Sequence, residues 1–268
     1  MIIGPALLFC PGDRADRYEK ASAAADSVII DLEDAVGPDD KPSAREALVA
    51  SALDPSTTIV RVNPVATVHF TDDLLALQRT RYTTVMLPKA ETVAELYALD
   101  GFEVIALCES PLGVRNADAL AEHPNVVALT WGAEDLVAGI GGNSSRGLDG
   151  SYRQLARYAR SRVLIAAASV GKPAFDTVHL DIADAVGLRA EAEDAAASGF
   201  AGSMCIHPSQ VPVIRAAFMP SADAMSWATS VLERAAATPG VFMFEGRMID
   251  EPLLRQARSI LAASVRSR

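Results

Sequence analysis

Short runs of apolar and β-branched residues recur along the chain, and each run ends in a polar or charged residue. The eight runs are ALLFCPG from Ala6, SVIIDLED from Ser27, TIVRVN from Thr58, TVMLPKAE from Thr84, EVIALCE from Glu103, VVALTWG from Val126, AFDTVH from Ala174 and SMCIHP from Ser203. Such runs are typical of parallel strands buried on both faces. Amphipathic or alanine-rich segments between them, such as KPSAREALVASAL and GLRAEAEDAAASGF, predict helices. Eight alternating units predict an α/β fold of the (β/α)8 barrel type rather than an open sheet.

The chain continues beyond the eighth unit further than a barrel requires. PSADAMSWATSVLERAAA predicts a helix, GVFMFEG a short strand or turn, and EPLLRQARSILAASV a final helix. We therefore expect a barrel domain that carries the functional site over residues 1–218 and a C-terminal helical extension over residues 219–268. Because the barrel closes without the extension, we expect it to act as a lid or to contact a neighbouring subunit.

The polar residues that end the strands define a candidate site. In a (β/α)8 barrel the C-terminal ends of all strands open into one mouth, where active sites lie. The residues at these positions are Asp13, Arg14, Asp31, Glu33, Asp34, Arg61, Asn63, Lys89, Glu109, Asp135, Asp176 and His207. Solvated loop charge is the alternative for any one of them, but loop charge would not fall so regularly after apolar strands. Cations facing several carboxylates indicate a metal-bound substrate that carries a carboxylate.

Glu109 and Asp135 are the strongest candidates for metal ligands. Each follows an apolar strand, and the two strands are consecutive along the chain, so the two carboxylates should lie side by side on the rim. No histidine or cysteine stands at ligand spacing beside them. A donor set of oxygen atoms alone suits Mg²⁺ rather than Zn²⁺. The sequence therefore predicts a magnesium site.

Arg61 lies at the end of a core strand, where an unpaired arginine is rarely tolerated. A bidentate grip on a substrate carboxylate is the natural use of a guanidinium in that place. The alternative is a structural salt bridge to Glu33 or Asp34.

Asp31, Glu33 and Asp34 belong to the second strand segment, and Asp31 and Glu33 share a face because side chains alternate along a strand. One interpretation is that they support the metal through water, or balance the charges of Lys41 and Lys89. The other is a buried ion-pair network, and the residues do not decide between the two. We expect Glu33, Asp34 and Lys89 to surround the metal ligands.

The histidines and the glycine-rich segment give weaker signals. His207 is a candidate general base, but a cap of the last strand-to-helix turn is favoured, with Pro208 starting the helix. The remaining histidines, expected at surface or turn positions, are His69, His123 and His179. GGNSSRGLDG lacks the lysine of a phosphate-binding loop and is predicted to be a mobile loop.

Composition narrows the classes of partner. The net charge of −10 argues against binding to nucleic acids and to anionic membranes. A local basic cluster could still receive an anionic cofactor, and it comprises Arg14, Arg17, Lys20, Lys41 and Arg45. Three cysteines in apolar runs, without CxxC spacing, indicate reduced thiols. With neither a signal-peptide pattern at the start nor an apolar run of membrane-spanning length, we expect a cytoplasmic protein.

Several of these motifs together resemble a known family. They are LLFCPGDR, the Lys20-Ala21 pair, VIIDLEDAV, KPSAR, RVN, MLPKAE, ALCES, WGAEDL and FAGSMCIHPSQ. In this combination the chain resembles the citrate lyase β-subunit family, within the HpcH/HpaI aldolase and citrate lyase superfamily that also contains malyl-CoA and citramalyl-CoA lyases. The resemblance extends from Leu7 to about Ile260 and is greatest to the stand-alone β-subunit-like proteins.

The resemblance implies a homotrimeric (β/α)8 barrel that binds Mg²⁺ and a CoA thioester. It implies that Glu109 and Asp135 are the metal ligands and that Arg61 contacts an oxygen of the oxoacid or thioester. Arg14 and Lys20 lie in the segment that helps to hold CoA in relatives.

The resemblance also implies a catalytic residue outside the barrel. The aspartate of FEGRMIDEPLL, Asp250 here, reaches into the site of the neighbouring subunit in related lyases.

The reaction implied is Mg²⁺-dependent retro-Claisen cleavage of a 3-hydroxyacyl-CoA to an oxoacid, or acetoacetate, and an acyl-CoA. The thioester could be of the citryl, malyl, citramalyl or hydroxymethylglutaryl type. The backbone N–H groups of Gly132 and Ala133, at the start of a predicted helix, are expected to bind the substrate carboxylate. The alternatives are a class II pyruvate-type aldolase on free oxoacids and a non-catalytic subunit that binds oxoacid or CoA.

Overall fold

Eight parallel strands pair in chain order and close into a barrel, in a computed structural model that describes residues 3–238 and 240–266. The strands are β1 Ala6–Pro11, β2 Ser27–Asp31, β3 Thr58–Arg61, β4 Thr84–Leu87, β5 Glu103–Cys108, β6 Val126–Trp131, β7 Ala174–Asp176 and β8 Gly202–Cys205. The barrel closes because β8 pairs with β1, with Leu7 opposite Met204. The predicted (β/α)8 fold is confirmed, and each strand lies where the apolar pattern placed it.

Helices connect the strands. They are α1 Tyr18–Ala24, α2 Lys41–Ala50, α3 Phe70–Leu77, α4 Val93–Leu96, α5 Pro111–Arg115, α6 Ala117–Glu122, α7 Ala133–Ile140, α8 Gln154–Ser169, α9 Ala185–Ser198 and α10 Val211–Phe218. Short 3-10 helices cover Ala15–Arg17, Pro38–Asp40, Tyr97–Leu99 and Pro208–Gln210. The helix α7, which borders the site, begins after Gly132 and ends at Gly141, whose φ of 85° is readily adopted only by glycine. Among the described residues, no helix combines the length and the apolar character needed to span a lipid bilayer.

The barrel interior is apolar along most of its length and charged at the C-terminal ends of the strands. The apolar part consists of Leu7, Ile29, Ile59, Met86, Ile105, Leu107, Ala128, Phe175 and Met204. Because side chains alternate along a strand, the residue two positions after an inward-facing one also faces inward. Asp31, Arg61 and Glu109 stand two positions after Ile29, Ile59 and Leu107 respectively. The charged side chains therefore form the uppermost layer of the interior, at the C-terminal mouth.

The chain divides into two units, Met1–Ile214 and Arg215–Arg268. The second unit contains α11 Ala222–Ala237, an antiparallel hairpin of β9 Phe242–Phe244 and β10 Arg247–Ile249, and α12 Glu251–Arg266. Glu245 and Gly246 join the two strands with φ values of 49° and 75°, as in the two-residue turns that suit hairpins. This unit has its own apolar cluster, built from Ala228, Val231, Phe242, Ile249 and Ala257. The predicted C-terminal helices are confirmed, and the subunit contact stays a prediction.

The sequence predicts surface or turn positions for His123 and His179. Both lie in connecting segments outside the helices and strands, but the surface location is wrong. Both are buried, at 8% and 6% exposure. His123 Nδ1 lies 2.6 Å from the side-chain oxygen of Asn125, and His179 Nδ1 lies 2.8 Å from Glu191. A hydrogen bond to one ring nitrogen lowers the cost of burying a histidine, and the sequence pattern does not reveal these partners.

The glycine-rich segment is a loop, as predicted, and the side chains of Ser145 and Arg146 in it contact residues outside the segment. The guanidinium of Arg146 pairs with Glu191 of α9 and lies 4.0 Å above the ring of Tyr152. The hydroxyl of Ser145 donates a hydrogen bond of 2.5 Å to Glu134 at the start of α7. These contacts join the loop to the two helices that follow β6 and β7.

Truncation of an interior side chain should destabilise the barrel strongly. Ile29 is fully buried, so we expect Ile29→Ala to lower the free energy of unfolding by about 2–5 kcal/mol, because a cavity remains where the side chain was. Urea unfolding followed by circular dichroism measures this loss. Val68→Ala is the matched control, since Val68 is 86% exposed and its truncation should change stability by no more than about 0.5 kcal/mol. Equal effects of the two substitutions would contradict the assignment of the interior.

Candidate active site

Arg61 is held by a buried ion pair across two neighbouring strands. Its Nε and Nη2 donate to the two carboxylate oxygens of Asp31 at 2.7 and 2.6 Å, and its Nη1 lies 3.1 Å from Glu33. The pair forms because Asp31 of β2 lies directly opposite Arg61 of β3 in the strand register. Burial opposes the charge of the guanidinium, but Asp31 and Glu33 raise its pKa overall, so Arg61 stays protonated. Its position in the mouth is therefore fixed.

The structure supports parts of both interpretations of Asp31 and Glu33: the two residues form buried ion pairs with Arg61, and Glu33 also balances the charge of Lys89 at 2.6 Å. Asp31 also accepts hydrogen bonds from the backbone N–H groups of Glu33 and Ala35, at 2.9 and 3.1 Å, so its oxygens are fully used. Asp31 and Glu33 thus belong to a buried ion-pair network. The salt bridge from Arg61 to Glu33, which the sequence offered as the alternative to a grip on substrate, is present, whereas Asp34 contacts Lys89 at 3.7 Å. The principal partner, Asp31, was missed, although aligning the ends of the two predicted strands would have found it.

Lys89 brings a second cation into the same cluster. Its ammonium group lies 2.6 Å from Glu33, 3.6 Å from Asp135, 3.7 Å from Asp34 and 4.0 Å from Glu109. Its backbone is left-handed, with φ of 49°, a conformation that costs a side-chain-bearing residue about 1–2 kcal/mol. In this conformation its N–H donates to Glu109 at 3.0 Å. Lys89 therefore contacts the predicted metal ligands through both its backbone and its side chain.

Glu109 fits its position because residue 132 is a glycine. Glu109 is 4% exposed and lies just beyond the end of β5. A Cβ atom added to Gly132 would lie 2.6 Å from Oε2 of Glu109 and 2.9 Å from its Cβ, closer than atoms can approach. The backbone of Gly132 is ordinary extended backbone, with φ of −125°, so the glycine is needed for space. The sequence pointed to Gly132 for its N–H group and not for this contact.

Asp135 approaches the same cluster from the first turn of α7, and its side chain is 43% exposed. Glu109 and Asp135 both lie within 4.0 Å of the Lys89 ammonium, so the structure brings the two carboxylates together on one side of the mouth. Gly132 and Ala133 open α7, where the first N–H groups of a helix have no partner within the helix. The start of this helix can therefore receive an anion beside the two carboxylates.

The mouth holds more negative than positive charge. Among the residues that the structure describes, five carboxylates lie within 4.0 Å of the side-chain nitrogens of Arg61 or Lys89: Asp31, Glu33, Asp34, Glu109 and Asp135. Burial, together with the charges of Asp135 and Glu33, raises the pKa of Glu109 to about 8. A further cation would relieve this repulsion and favour the ionised form of Glu109.

Glu109 and Asp135 fit a magnesium ion. Both offer oxygen atoms alone, and the Gly132 contact leaves room for the Glu109 carboxylate. In the part of the chain that the structure describes, no three or more aspartate, glutamate, histidine or cysteine side chains are arranged to hold an ion by themselves. Mg²⁺ commonly binds one or two carboxylates and keeps other positions for water or substrate oxygens. A two-carboxylate site of this kind leaves positions open for a substrate.

Three of the residues that end strands are engaged elsewhere. Asp176 accepts a hydrogen bond of 2.7 Å from the ring N–H of Trp131 and pairs with Arg160. The side-chain amide of Asn63 donates to Asp73 at 2.7 Å. His207 caps the 3-10 helix that starts at Pro208, and its Nδ1 accepts from the N–H of Ser209, so the favoured capping role is confirmed. Asp176 and Asn63 have structural roles, in contrast to the expectation that they form part of the ligand-binding set.

The predicted basic cluster divides into a buried and an exposed part. Lys41 is buried and donates to the backbone carbonyls of residues 32 and 33 at 2.8 and 2.9 Å, and Arg45 is buried against Asp73 at 2.7 Å. Neither can serve a bound anion. The exposed or partly exposed members are Arg14, Arg17 and Lys20, which follow β1 at the mouth end of the barrel.

Asp250 lies in the C-terminal unit. Its carboxylate accepts a hydrogen bond of 3.3 Å from the N–H of Leu253 in the first turn of α12, so within this chain it caps that helix. Its role in the site of a neighbouring subunit stays a prediction.

Comparison with known proteins identifies the family. Residues 6–208 match the HpcH/HpaI aldolase/citrate lyase family. The citrate lyase subunit beta-like protein of Mycobacterium tuberculosis is 51% identical over 258 residues, which cover 96% of this chain and 94% of that protein. Human mitochondrial citramalyl-CoA lyase is 32% identical over 300 residues, which cover 98% of this chain and 86% of that enzyme.

A solved structure agrees over almost the whole chain. The crystal structure of the protein CitE from Mycobacterium tuberculosis, in complex with magnesium, acetoacetate and coenzyme A, superposes with a TM-score of 0.95. The two chains are 50% identical in sequence, and the match covers 98% of each. The chain therefore belongs to the HpcH/HpaI aldolase/citrate lyase family of carbon–carbon lyases.

Proposed function

We propose that this chain is a Mg²⁺-dependent lyase that cleaves a 3-hydroxyacyl-CoA thioester by retro-Claisen chemistry. The observation that carries the proposal is the convergence of Glu109 and Asp135 on the Lys89 ammonium, beside the charged Arg61, whose side chain is 13% exposed. Support comes from the CitE structure, which holds magnesium, an oxoacid and coenzyme A together. Two relatives, one named citrate lyase subunit beta-like protein and the other named citramalyl-CoA lyase, also support the proposal.

Glu109 and Asp135 would hold the metal, and Mg²⁺, when bound, supplies Lewis acidity to the substrate oxygens. The residues around it orient the substrate. The N–H groups of Gly132 and Ala133 bind the carboxylate of the oxoacid portion. Arg61, fixed by Asp31, stabilises negative charge on the reacting oxygens, a contribution of about 3–4 kcal/mol for a well-placed donor.

Cleavage breaks the bond between C2 and C3 of the thioester. The hydroxyl on C3 gives its proton to a water molecule and becomes the carbonyl of the oxoacid, while the electron pair of the broken bond remains on the thioester portion as an enolate. Protonation of C2 then gives the acyl-CoA. We propose Asp250 of a neighbouring copy in a homotrimer as the donor of that proton, with water as the alternative donor.

Arg14 and Lys20 are the proposed contacts for the phosphate groups of CoA. Both are accessible on the segment that follows β1, and Arg14 forms an exposed ion pair with Asp16 at 3.0 Å. An exposed pair of this kind contributes little to stability, so Arg14 can exchange Asp16 for a phosphate at small cost. The three cysteines, Cys10, Cys108 and Cys205, are buried. A cytoplasmic location stays a prediction.

A panel of thioesters tests the proposed function. Purified protein with Mg²⁺ is offered citryl-, malyl-, citramalyl- and hydroxymethylglutaryl-CoA, and release of oxoacid or acetoacetate is followed with EDTA as the control. We expect EDTA-sensitive cleavage of at least one thioester. Equal cleavage of the free hydroxy acids would indicate a class II aldolase instead. Saturable oxoacid binding without turnover would indicate a non-catalytic subunit.

Asp135→Asn should lower Mg²⁺-dependent turnover of the best thioester by about 100-fold or more, because it removes one of two charged metal ligands. Steady-state rates over a range of Mg²⁺ concentrations measure the loss. Glu193→Gln, on the exposed face of α9, is the matched control and should leave turnover unchanged. Normal Mg²⁺-dependent turnover by the Asp135 variant would refute the metal assignment.

Gly132→Ala should disable the site while the barrel stays folded. The added methyl group would displace the Glu109 carboxylate, so we expect Mg²⁺ affinity, measured by isothermal titration calorimetry, to fall by about tenfold or more. Gly139→Ala in α7 is the matched control, because its Cβ would meet only ordinary contact, 3.5 Å from Pro111. Wild-type affinity in the Gly132 variant would show that this glycine does not position Glu109.

Arg14→Ala and Lys20→Ala should each raise KM for the thioester by about fivefold while leaving kcat unchanged, because each removes a charged contact to phosphate far from the reacting bond. Steady-state kinetics at two salt concentrations provide the measurement. Arg79→Ala, which removes an exposed arginine paired with Glu46, is the control for loss of a surface charge. An unchanged KM in both variants would argue against contacts of Arg14 and Lys20 with the phosphate groups of CoA.

A further inference from the structure

The positive charge of Lys89 lies where it would act on a metal bound at the proposed site. Its ammonium lies 3.6 Å from Asp135 and 4.0 Å from Glu109, the two carboxylates proposed as metal ligands. A divalent cation on these carboxylates would lie close to the ammonium, and two positive charges at such short range repel each other strongly. The metal and the Lys89 ammonium therefore compete for the same negative charge.

Lys89 also has partners that a metal would not take away. Its shortest contact is with Glu33, at 2.6 Å, and Asp34 lies on the exposed side at 3.7 Å, with 60% of its side chain accessible. Glu33 is itself fixed, since its other oxygen lies 3.1 Å from Arg61. The ammonium can withdraw from Glu109 and Asp135 and remain paired with Glu33 and Asp34.

The backbone limits how far Lys89 can move. Its N–H donates to Glu109 in the left-handed conformation, so the Cα atom is fixed beside the metal ligands and only the side chain can swing. The same residue thus orients one ligand through its backbone and opposes the metal through its side chain. These two effects can be separated by substitutions that keep a Cβ atom.

We propose that Lys89 is an internal counter-ion that exchanges with the metal: it neutralises the acidic cluster while no metal is bound, turns toward Glu33 and Asp34 when the metal enters, and lowers metal affinity. This inference rests on the proposed magnesium site and adds the residue that sets its affinity. Lys89 acts here on the metal through shared carboxylates and is a positioning residue.

Metal binding tests the inference independently of turnover. Mg²⁺ titrations by calorimetry, and Mn²⁺ titrations by electron paramagnetic resonance, are made on the wild type, Lys89→Met and Lys89→Arg. We expect Lys89→Met to bind either ion about tenfold more tightly or better, because it removes the competing charge while retaining the backbone and most of the side chain. Lys89→Arg keeps the charge and should remain within about threefold of the wild type.

Thermal unfolding supplies a second readout. Without metal, Lys89→Met should melt below the wild type, because the carboxylates lose a counter-ion, and Mg²⁺ should raise its Tm by more than it raises that of the wild type. If Lys89→Met does not fold, Glu33→Gln takes its place. This substitution weakens the ion pair that holds the Lys89 ammonium away from the metal, so we expect weaker metal binding. Unchanged or tighter binding by that variant would contradict the inference.

The outcomes separate the two proposals. Normal wild-type binding with unchanged or weaker binding by Lys89→Met would overturn the counter-ion role and leave the magnesium site in place. Binding by neither the wild type nor the variants would overturn the magnesium site and the counter-ion role together.

Discussion

The buried pair of Asp31 and Arg61 organises the charged mouth of the barrel. It links β2 to β3 at their C-terminal ends, and Glu33 extends it to Lys89. Removing one partner of such a pair leaves an uncompensated buried charge, at a cost of about 3–5 kcal/mol. Because Asp31 also accepts two backbone N–H groups of the segment after β2, the same carboxylate fixes that loop and the guanidinium. The proposed metal ligands lie next to a cation whose position is already set.

Close packing and electrostatics act together on Glu109. The missing Cβ of Gly132 gives the carboxylate its space, and the left-handed Lys89 gives it a hydrogen bond from the backbone. Burial, together with the charges of Asp135 and Glu33, raises the pKa of Glu109 to about 8. The ionised form of this carboxylate is therefore unfavourable unless a further cation binds beside it. The carboxylates in the mouth therefore repel one another, and a bound divalent metal would reduce this repulsion.

Local patterns predicted the barrel, the strand ends and the candidate ligands, because apolar runs and the polar residues after them are properties of short segments. The partners of charged residues were harder to predict. Lys89 meets Glu33 across 56 positions of sequence, and Asp176 turns to Trp131 and Arg160 although it ends a strand like the others. The position of a polar residue at a strand end predicts its level along the barrel axis. The contacts of its side chain depend on neighbours from other strand–helix units, which the local pattern does not reveal. Burial of His179 follows from a partner on α9 that no local pattern reveals.

A crystal structure with Mn²⁺, located by its anomalous signal, would show whether Glu109 and Asp135 hold a metal beside Lys89. We expect one ion bound by carboxylate oxygens of Glu109 and Asp135, with the Lys89 ammonium displaced toward Glu33 and Asp34. An ion bound elsewhere, or a Lys89 ammonium that keeps its place beside the two carboxylates at saturating Mn²⁺, would refute this arrangement.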